Sequence, residues 1–332
     1  MYKKLPKLDL NITNRCNFRC VHCAFDSGIT KMDELSVPEL KKILEDTREL
    51  GGERIDITGG EPLLREDLED ILRVGKSLGY RIELVTNGSL LTTQKLQRFK
   101  ELGLDALAIS LDGSNFNEYA RIRNVDYTTY KRVIKTIMDA CNLGFYTKIN
   151  TVVFKSNLEN IPSITQFCIA TGVKEHGLYY FSPVGRGNSA REYSVEPSTL
   201  LKCIREKLMM FDSRIKLSIE VPFIEKGLLK KECGCIMKDD PYHLQILPDG
   251  KVYPCAILAS YKKPLANVHD VSVKDIWCNT KLWDDYSAFV EAEVFQKYCG
   301  ACVDYHAFAT KKYQDYTMIC PLRKFNVGEL NV

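Results

Sequence analysis

Three cysteines spaced Cys16-x-x-x-Cys20-x-x-Cys23 are the first residues of this chain that could do chemistry. Thiolates this close can converge on one metal centre, and sulfur is the soft donor that selects zinc or iron-sulfur. A mononuclear zinc ion wants a fourth ligand, and His22 is at hand, but adjacent His22 and Cys23 rarely bind one ion. Three ligands suit a [4Fe-4S] cluster whose fourth iron stays open to a substrate or cosubstrate. A second group lies far along the chain: Cys233, Cys235, Cys255, Cys278, Cys299, Cys302 and Cys320. Its Cys299-x-x-Cys302 pair fits an iron-sulfur site or a zinc knuckle. Cys141, Cys168, Cys203 and Cys278 fall in helical patterns and read as core thiols. The total of 13 is odd, which argues against a disulfide framework.

The elements that must position these residues are legible in the same sequence. Residues 7 to about 182 repeat a short β-rich run, a turn and an amphipathic helical stretch. The predicted strands are LDLNIT (8–13), RIDIT (54–58), RIELVT (81–86), ALAISL (106–111), KINTVVF (148–154) and GLYYF (177–181). Among the intervening helices, SVPELKKILEDTREL (36–50) has Ser36 to cap it, Pro38 in its first turn and Gly51-Gly52 to end it. Such alternation predicts an α/β fold, a parallel sheet curved into a full or partial barrel, with the chemistry at the C-terminal strand ends. Cys16 directly follows the first strand, and Gly59-Gly60-Glu61-Pro62 ends the second.

The alternation stops at SPVGRGNSAREYSVEPS (182–198), a connector rich in Gly, Ser, Pro and Arg. We place a domain boundary there, with residues 1–190 as one domain and 191–332 as the other. Beyond it come a helix near 198–211, a strand near 215–220, and YHLQILPDGKVYPC (242–255), a β-hairpin about Pro248-Asp249-Gly250.

The two motifs at matching strand ends resemble the radical SAM superfamily. That resemblance implies a partial (β/α)6 TIM-like barrel and S-adenosylmethionine bound to the open iron through its methionyl amine and carboxylate. It also implies one-electron cleavage to a 5'-deoxyadenosyl radical that abstracts hydrogen from a substrate. Carried onto this chain, Cys16, Cys20 and Cys23 would hold the radical cluster. Gly59 and Gly60 would allow close backbone approach, and the region of Glu61 would meet the methionyl amine. Ser110 and Asp112 match ribose-contacting positions, Arg123 would pair with the methionyl carboxylate, and Asn87 and Asn150 would line the site. Further on, Cys235-x14-Gly250-x4-Cys255 with Cys299-x-x-Cys302 resembles the SPASM/twitch extension, a small α+β domain with a hairpin. There Cys235, Cys255, Cys299 and Cys302 would bind one auxiliary [4Fe-4S] cluster, a zinc ribbon being the alternative. Phe308 and Lys312 stand where the full SPASM pattern continues with cysteine, so a second auxiliary cluster is not expected. Cys233 and Cys320 are then left as hydrogen-atom donors, a partial ligand or buried thiols.

By the same resemblance the chain is an enzyme that matures a peptide, or a cofactor derived from a peptide or tetrapyrrole. The alternatives are a twitch dehydrogenase of a small alcohol or sugar, a molybdopterin-pathway GTP cyclase, and a non-catalytic iron-sulfur or zinc scaffold. A flavodoxin- or ferredoxin-type reductant is implied. The motif begins at residue 16, so a peptide substrate would call for a separate recognition protein or a short leader. Composition sets the outer limits. With 45% apolar and 27% charged residues over 332 the chain is of ordinary globular type. Its 46 basic and 43 acidic residues are interspersed, which speaks against nucleic acid or anionic membrane as partner. Neither a signal peptide nor an apolar run of about 18 residues is present, so a cytoplasmic protein is expected.

Overall fold

A computed structural model describes residues 4–30, 33–211, 213–220, 223–225, 243–259, 263–289, 316–318 and 325–326. Its first part is the expected alternation: β1 (Lys7–Asn11), α1 (Val37–Glu49), β2 (Arg54–Thr58), α2 (Leu68–Ser77), β3 (Arg81–Thr86) and α3 (Thr93–Glu101). It continues with β4 (Ala106–Ser110), α4 (Phe116–Arg123), α5 (Tyr127–Asn142), β5 (Tyr146–Val153), α6 (Ile161–Thr171) and β6 (Glu175–Tyr180). Local chemistry explains the boundaries. Ser36 and Glu39 form a reciprocal capping box at the start of α1, and Gly51 takes a positive φ of 88° just past its end.

Adjacent strands from β1 to β6 pair in parallel, and β7 (Lys216–Glu220), past the connector and α7 (Pro197–Cys203), pairs in parallel with β6. The remaining strands are β8 (Phe223–Glu225), β9 (His243–Ile246), β10 (Lys251–Tyr253), β11 (Ala266–Asn267), β12 (Tyr316–Met318) and β13 (Phe325–Asn326). Among the described residues one sheet runs β11-β10-β9-β1-β2-β3-β4-β5-β6-β7-β13, and β8 pairs separately with β12. The antiparallel β9–β10 pair is the predicted hairpin, with Gly250 at φ 79° in its turn and Asn267 and His269 packed against it.

The two faces of the parallel sheet differ. Leu8, Leu10, Ile55, Ile57, Ile82, Leu84, Leu107 and Ile109 are at most 1% exposed and meet the helices, with Gly75 of α2 seated against Ile55 and Ile82. On the opposite face the register aligns Asp9, Asp56 and Glu83 across β1, β2 and β3. Lys7 pairs with Asp9 (2.8 Å) and Asp56 (2.9 Å), and Arg54 with Asp56 (2.7 Å) and Glu83 (3.1 Å). On β5 to β7, Glu175 joins Lys148 (3.4 Å) and Lys216 (2.8 Å). This is an α/β fold whose parallel strands curve into a partial barrel with a polar concave face. No described helix is long and apolar enough to cross a membrane.

Among the residues read as core thiols, Cys168 and Cys203 are buried and Cys141 is half-buried, but Cys278 is exposed. Its helix, Val273–Cys278, buries Val273, Ile276 and Trp277, and position 278 falls beyond that stripe, so the reading of Cys278 as a core thiol is corrected.

Candidate active site

The loop that follows β1 carries all three clustered cysteines, and its conformation is set by its own hydrogen bonds. Cys16 N–H donates to Gly28 O (2.6 Å), Gly28 N–H to Asn14 O (3.2 Å), and Ser27 Oγ to Asn14 Oδ1 (3.1 Å). At its base the Arg15 guanidinium forks onto Glu34 (3.0 and 3.2 Å), whose carboxyl is held below its ordinary value by Arg15 and Thr13 despite partial burial. The buried Arg65, from the turn after β2, donates to Ile12 O and Leu35 O (both 2.9 Å).

Each cysteine sulfur faces an N–H donor. Phe18 N–H points at Cys16 Sγ (3.4 Å), Ser27 N–H at Cys23 Sγ (3.3 Å), and Arg123 Nη1 at Cys20 Sγ (3.7 Å). Donors aimed at sulfur fit thiolate ligands, because hydrogen bonds to cluster sulfurs stabilise their charge. Burial pushes the Cys16 thiol up to about 12, helped by the negative charges of Cys20, Glu61 and Cys23. Burial also raises Cys20, against the pull of Arg123. A metal that binds here must therefore displace protons. Among the described residues no three His, Cys, Asp or Glu side chains gather at a single-ion position.

The Gly-Gly-Glu strand end locks onto this loop. Gly60 N–H donates to Thr13 O (2.7 Å) and Glu61 N–H to Arg15 O (2.8 Å). A Cβ on Gly59, at φ 151°, would lie 2.4 Å from Thr13 O, and one on Gly60 2.2 Å from Arg15 O. The close approach that demands glycine here is to the chain's own cluster loop. Glu61 is fully buried and its carboxylate accepts from Leu63 N–H (3.2 Å), Thr86 Oγ (2.7 Å) and Asn87 N–H (2.8 Å). That side chain ties the end of β2 to the end of β3. Asn87 in turn donates from Nδ2 to Asn17 Oδ1 (2.9 Å), and Asn17 Nδ2 donates to Ser89 Oγ (2.9 Å).

Asp112, just after β4, is buried and accepts from Arg123 Nε and from Val152 N–H (2.7 Å). The buried Arg123 thus bridges Asp112 and Cys20. His22 packs tilted against Phe154 at 5.5 Å between ring centroids, and burial with nearby Arg123 lowers it to about 4, so the ring is neutral. Ser110, at the end of β4, pairs in register with Asn150 within β5, both half-buried, and Tyr179 Oη donates to Asn150 Oδ1 (3.1 Å).

Contacts therefore join the cysteine loop, Gly60, Glu61, Asn87, Asp112 and Arg123 at the C-terminal ends of β1 to β4, while Ser110 and Asn150 lie beside each other on β4 and β5. Asn17, Ser89 and Tyr179 belong with them and were missed; only Asn17, inside the cysteine spacing, carried a signal of its position. Of the C-terminal candidates, Cys255 follows β10, half-buried, near Tyr253 and Tyr286. Cys233, Cys235, Cys299, Cys302 and Cys320 lie outside the described residues, as do Phe308 and Lys312.

Comparison with known proteins agrees with this geometry. Residues 10–168 match the radical SAM superfamily and residues 235–303 an iron-sulfur cluster-binding domain, SPASM. An AdoMet-dependent heme synthase of Methanosarcina barkeri is 26% identical over 312 residues, 88% of this chain and 86% of the relative. A probable GTP 3',8-cyclase of Sulfurisphaera tokodaii is 32% identical over 216 residues, 64% of this chain and 68% of the relative. In fold the chain resembles Streptococcus suis SuiB bound to S-adenosylmethionine, with a TM-score of 0.73 at 16% identity, covering 96% of this chain and 77% of that one. It also resembles anSMEcpe with bound AdoMet, with a TM-score of 0.64 at 18% identity, covering 84% of this chain and 78% of that one. With these matches, and with one relative 32% identical and covered over 68% of its length, the chain belongs to the radical SAM superfamily and carries a C-terminal SPASM domain, an enzyme of S-adenosylmethionine and [4Fe-4S] clusters.

Proposed function

We propose that this chain reductively cleaves S-adenosylmethionine to take a hydrogen atom from a tetrapyrrole on the way to a finished cofactor. The observation that carries the chemistry is the loop in which Cys16, Cys20 and Cys23 each receive an N–H donor at the mouth of the barrel. When bound there, a [4Fe-4S] cluster and S-adenosylmethionine would supply an electron and a 5'-deoxyadenosyl radical. The residues of this chain do the rest. Arg123, set by Asp112 beside Cys20, presents a cation near the loop where the methionyl carboxylate would lie. Ser110 and Asn150 offer half-buried polar groups on neighbouring strands for the nucleoside or substrate. Glu61 and Asn87 brace the wall of the site, since their polar atoms bond to one another and to Thr86, Ser89 and Asn17, and the region of Glu61 would meet the methionyl amine.

Cys235, Cys255, Cys299 and Cys302 would hold the auxiliary cluster in the second domain, residues 191–332, and Cys233 or Cys320 could return a hydrogen atom. A low-potential flavodoxin or ferredoxin would supply electrons. Support for a tetrapyrrole comes from the heme synthase, 26% identical over 88% of this chain, whereas the GTP-cyclase match spans 64%.

The test is anaerobic turnover of reconstituted enzyme with S-adenosylmethionine and dithionite, reading 5'-deoxyadenosine with and without a carboxylated tetrapyrrole, GTP or a short peptide. Acceleration by the tetrapyrrole, with a matching mass change in it, is the expected result. Acceleration by GTP or the peptide instead would replace the substrate. No 5'-deoxyadenosine under any condition would end the reading altogether.

A further inference from the structure

The connector after β6 makes contacts that the cluster site does not obviously require. Gly185, at φ 57°, lies so close to the cysteine loop that a Cβ there would sit 2.2 Å from Ala24 O and 2.7 Å from Cys23 O. Arg186 N–H donates to Cys23 O (2.9 Å). The Arg186 guanidinium then reaches back into the loop: Nη1 donates to Cys20 O (3.0 Å), Nη2 to Ser27 O (2.5 Å), and Nη2 pairs with Asp26 Oδ1 (2.8 Å). Asp26 has a φ of 48°, a left-handed conformation uncommon for residues other than glycine, at the bend of the same loop. Residue 186 thus engages the carbonyls of Cys20, Cys23 and Ser27, which span two of the three ligand positions. Apolar packing accompanies the grip. Ile122, Phe154, Phe181 and the connector's Ala190 form a small buried cluster against which Val21 packs.

We infer that Arg186 is a positioning residue for the radical cluster, a clamp by which the connector between the barrel and the C-terminal residues holds the Cys20–Ser27 loop and places a cation beside it. The inference rests on the proposal that Cys16, Cys20 and Cys23 bind that cluster. Three properties follow from the planar fork, which bridges two carbonyls and a carboxylate at once. The loop is ordered before iron arrives, the cluster is retained once bound, and the cation favours the reduced, more negative cluster. A lysine keeps the charge but cannot bridge the three acceptors.

The experiment uses the full-length reconstituted enzyme in three forms, wild type, Arg186→Gln and Arg186→Lys. The radical cluster is recognised as the one whose reduced electron paramagnetic resonance signal changes on adding S-adenosylmethionine. Iron release from it to a chelator and its midpoint potential are then read. Outer-shell partners of metal ligands are typically worth about 10- to 100-fold in metal affinity, and Arg186→Gln should speed iron release by a factor in that range. It should also move the potential to a more negative value. Arg186→Lys should release iron faster than wild type while keeping the potential close to it. Asp26→Asn, milder because Asp26 is largely exposed, should shift the potential slightly in the opposite direction and serves if Arg186→Gln does not fold. Wild-type retention and potential in Arg186→Gln would overturn the inference. So would faster release with no change in potential, which would leave Arg186 only a structural part of the loop. A wild type with no cluster responsive to S-adenosylmethionine would instead defeat the functional reading on which this one stands.

Discussion

The residues around the cysteine loop work mainly by holding one another. Glu61, which a motif-level reading directs toward a ligand, spends its carboxylate on three donors from the ends of β2 and β3. Burial pushes that carboxyl up, opposed by those same donors. In Glu61→Gln one acceptor oxygen becomes an amide NH2 facing the buried donors, and unfolding free energy should fall by about 1–3 kcal/mol. Urea denaturation measures this, and a loss below about 0.5 kcal/mol would mean the donors find other partners. Gly60→Ala tests the cradle more severely. Its new Cβ would meet the Arg15 carbonyl, a backbone atom held by the loop, with no flexible side chain to yield. The expected outcome is a folded protein that loses the iron of its radical cluster and keeps the C-terminal iron. Iron and sulfide analysis beside the circular dichroism spectrum reads both, and full iron content would show the loop able to shift.

Along an element, β6 illustrates how adjacent residues on opposite faces of a strand meet different physics. Glu175, on the concave side, is held down to about 2: burial alone would raise it, but Lys148, Lys216 and Ser218 outweigh burial. His176, on the helix side, is buried between Thr151 (2.9 Å) and Thr165 (3.0 Å), and burial lowers it from 6.5 to about 3. Because the unfolded chain protonates His176 first, its contribution to stability is present above pH 6.5 and declines as pH falls below that value toward 3. Glu175 contributes above its unfolded value of 4.5 and is lost as pH falls from there toward 2. Denaturation between pH 7.5 and 5.5 should therefore show stability falling with acidity, with a shallower slope in His176→Gln and an unchanged one in Glu175→Gln. Equal slopes in wild type and His176→Gln would mean that the folded state protonates this histidine. At the start of α1, Ser36→Ala removes half of a capping box and should cost about 1 kcal/mol, read by thermal unfolding.

At the scale of the molecule the sheet joins sequence regions on either side of the connector. β7 extends it beyond β6, and β9 lies in parallel beside β1, so the strand that launches the cysteine loop is flanked by β2 from before the connector and by β9 from after it. Two [4Fe-4S] clusters on such a frame amount to about eight iron atoms per chain, and a Cys16/Cys20/Cys23 triple alanine variant should fall to about four. About four falling to none, with zinc retained, would mean a structural zinc site in the C-terminal domain instead.

What the sequence by itself determined was everything that local chemistry encodes. Hydrophobic periodicity and capping placed the strands and α1 to within a residue or two, because the apolar residues facing the helices must repeat with the backbone's own period. Cysteine spacing located the metal loop, since ligands to one centre must be close along the chain or at successive strand ends. One signal was present and went unused. IDIT and IEL alternate, whereas strands buried on both faces of a parallel sheet read as continuous apolar runs, and the alternation foretold the polar concave face. Only the tertiary structure decided the partners. Arg123 with Asp112 and Cys20, Glu61 with Thr86 and Asn87, and Arg186 with a loop some 160 positions earlier are contacts whose sequence separation carries no periodic trace. A guanidinium or a carboxylate looks the same in a sequence whether it faces water or closes a site. Its role is settled by which buried donors and acceptors the folded chain leaves for it to satisfy.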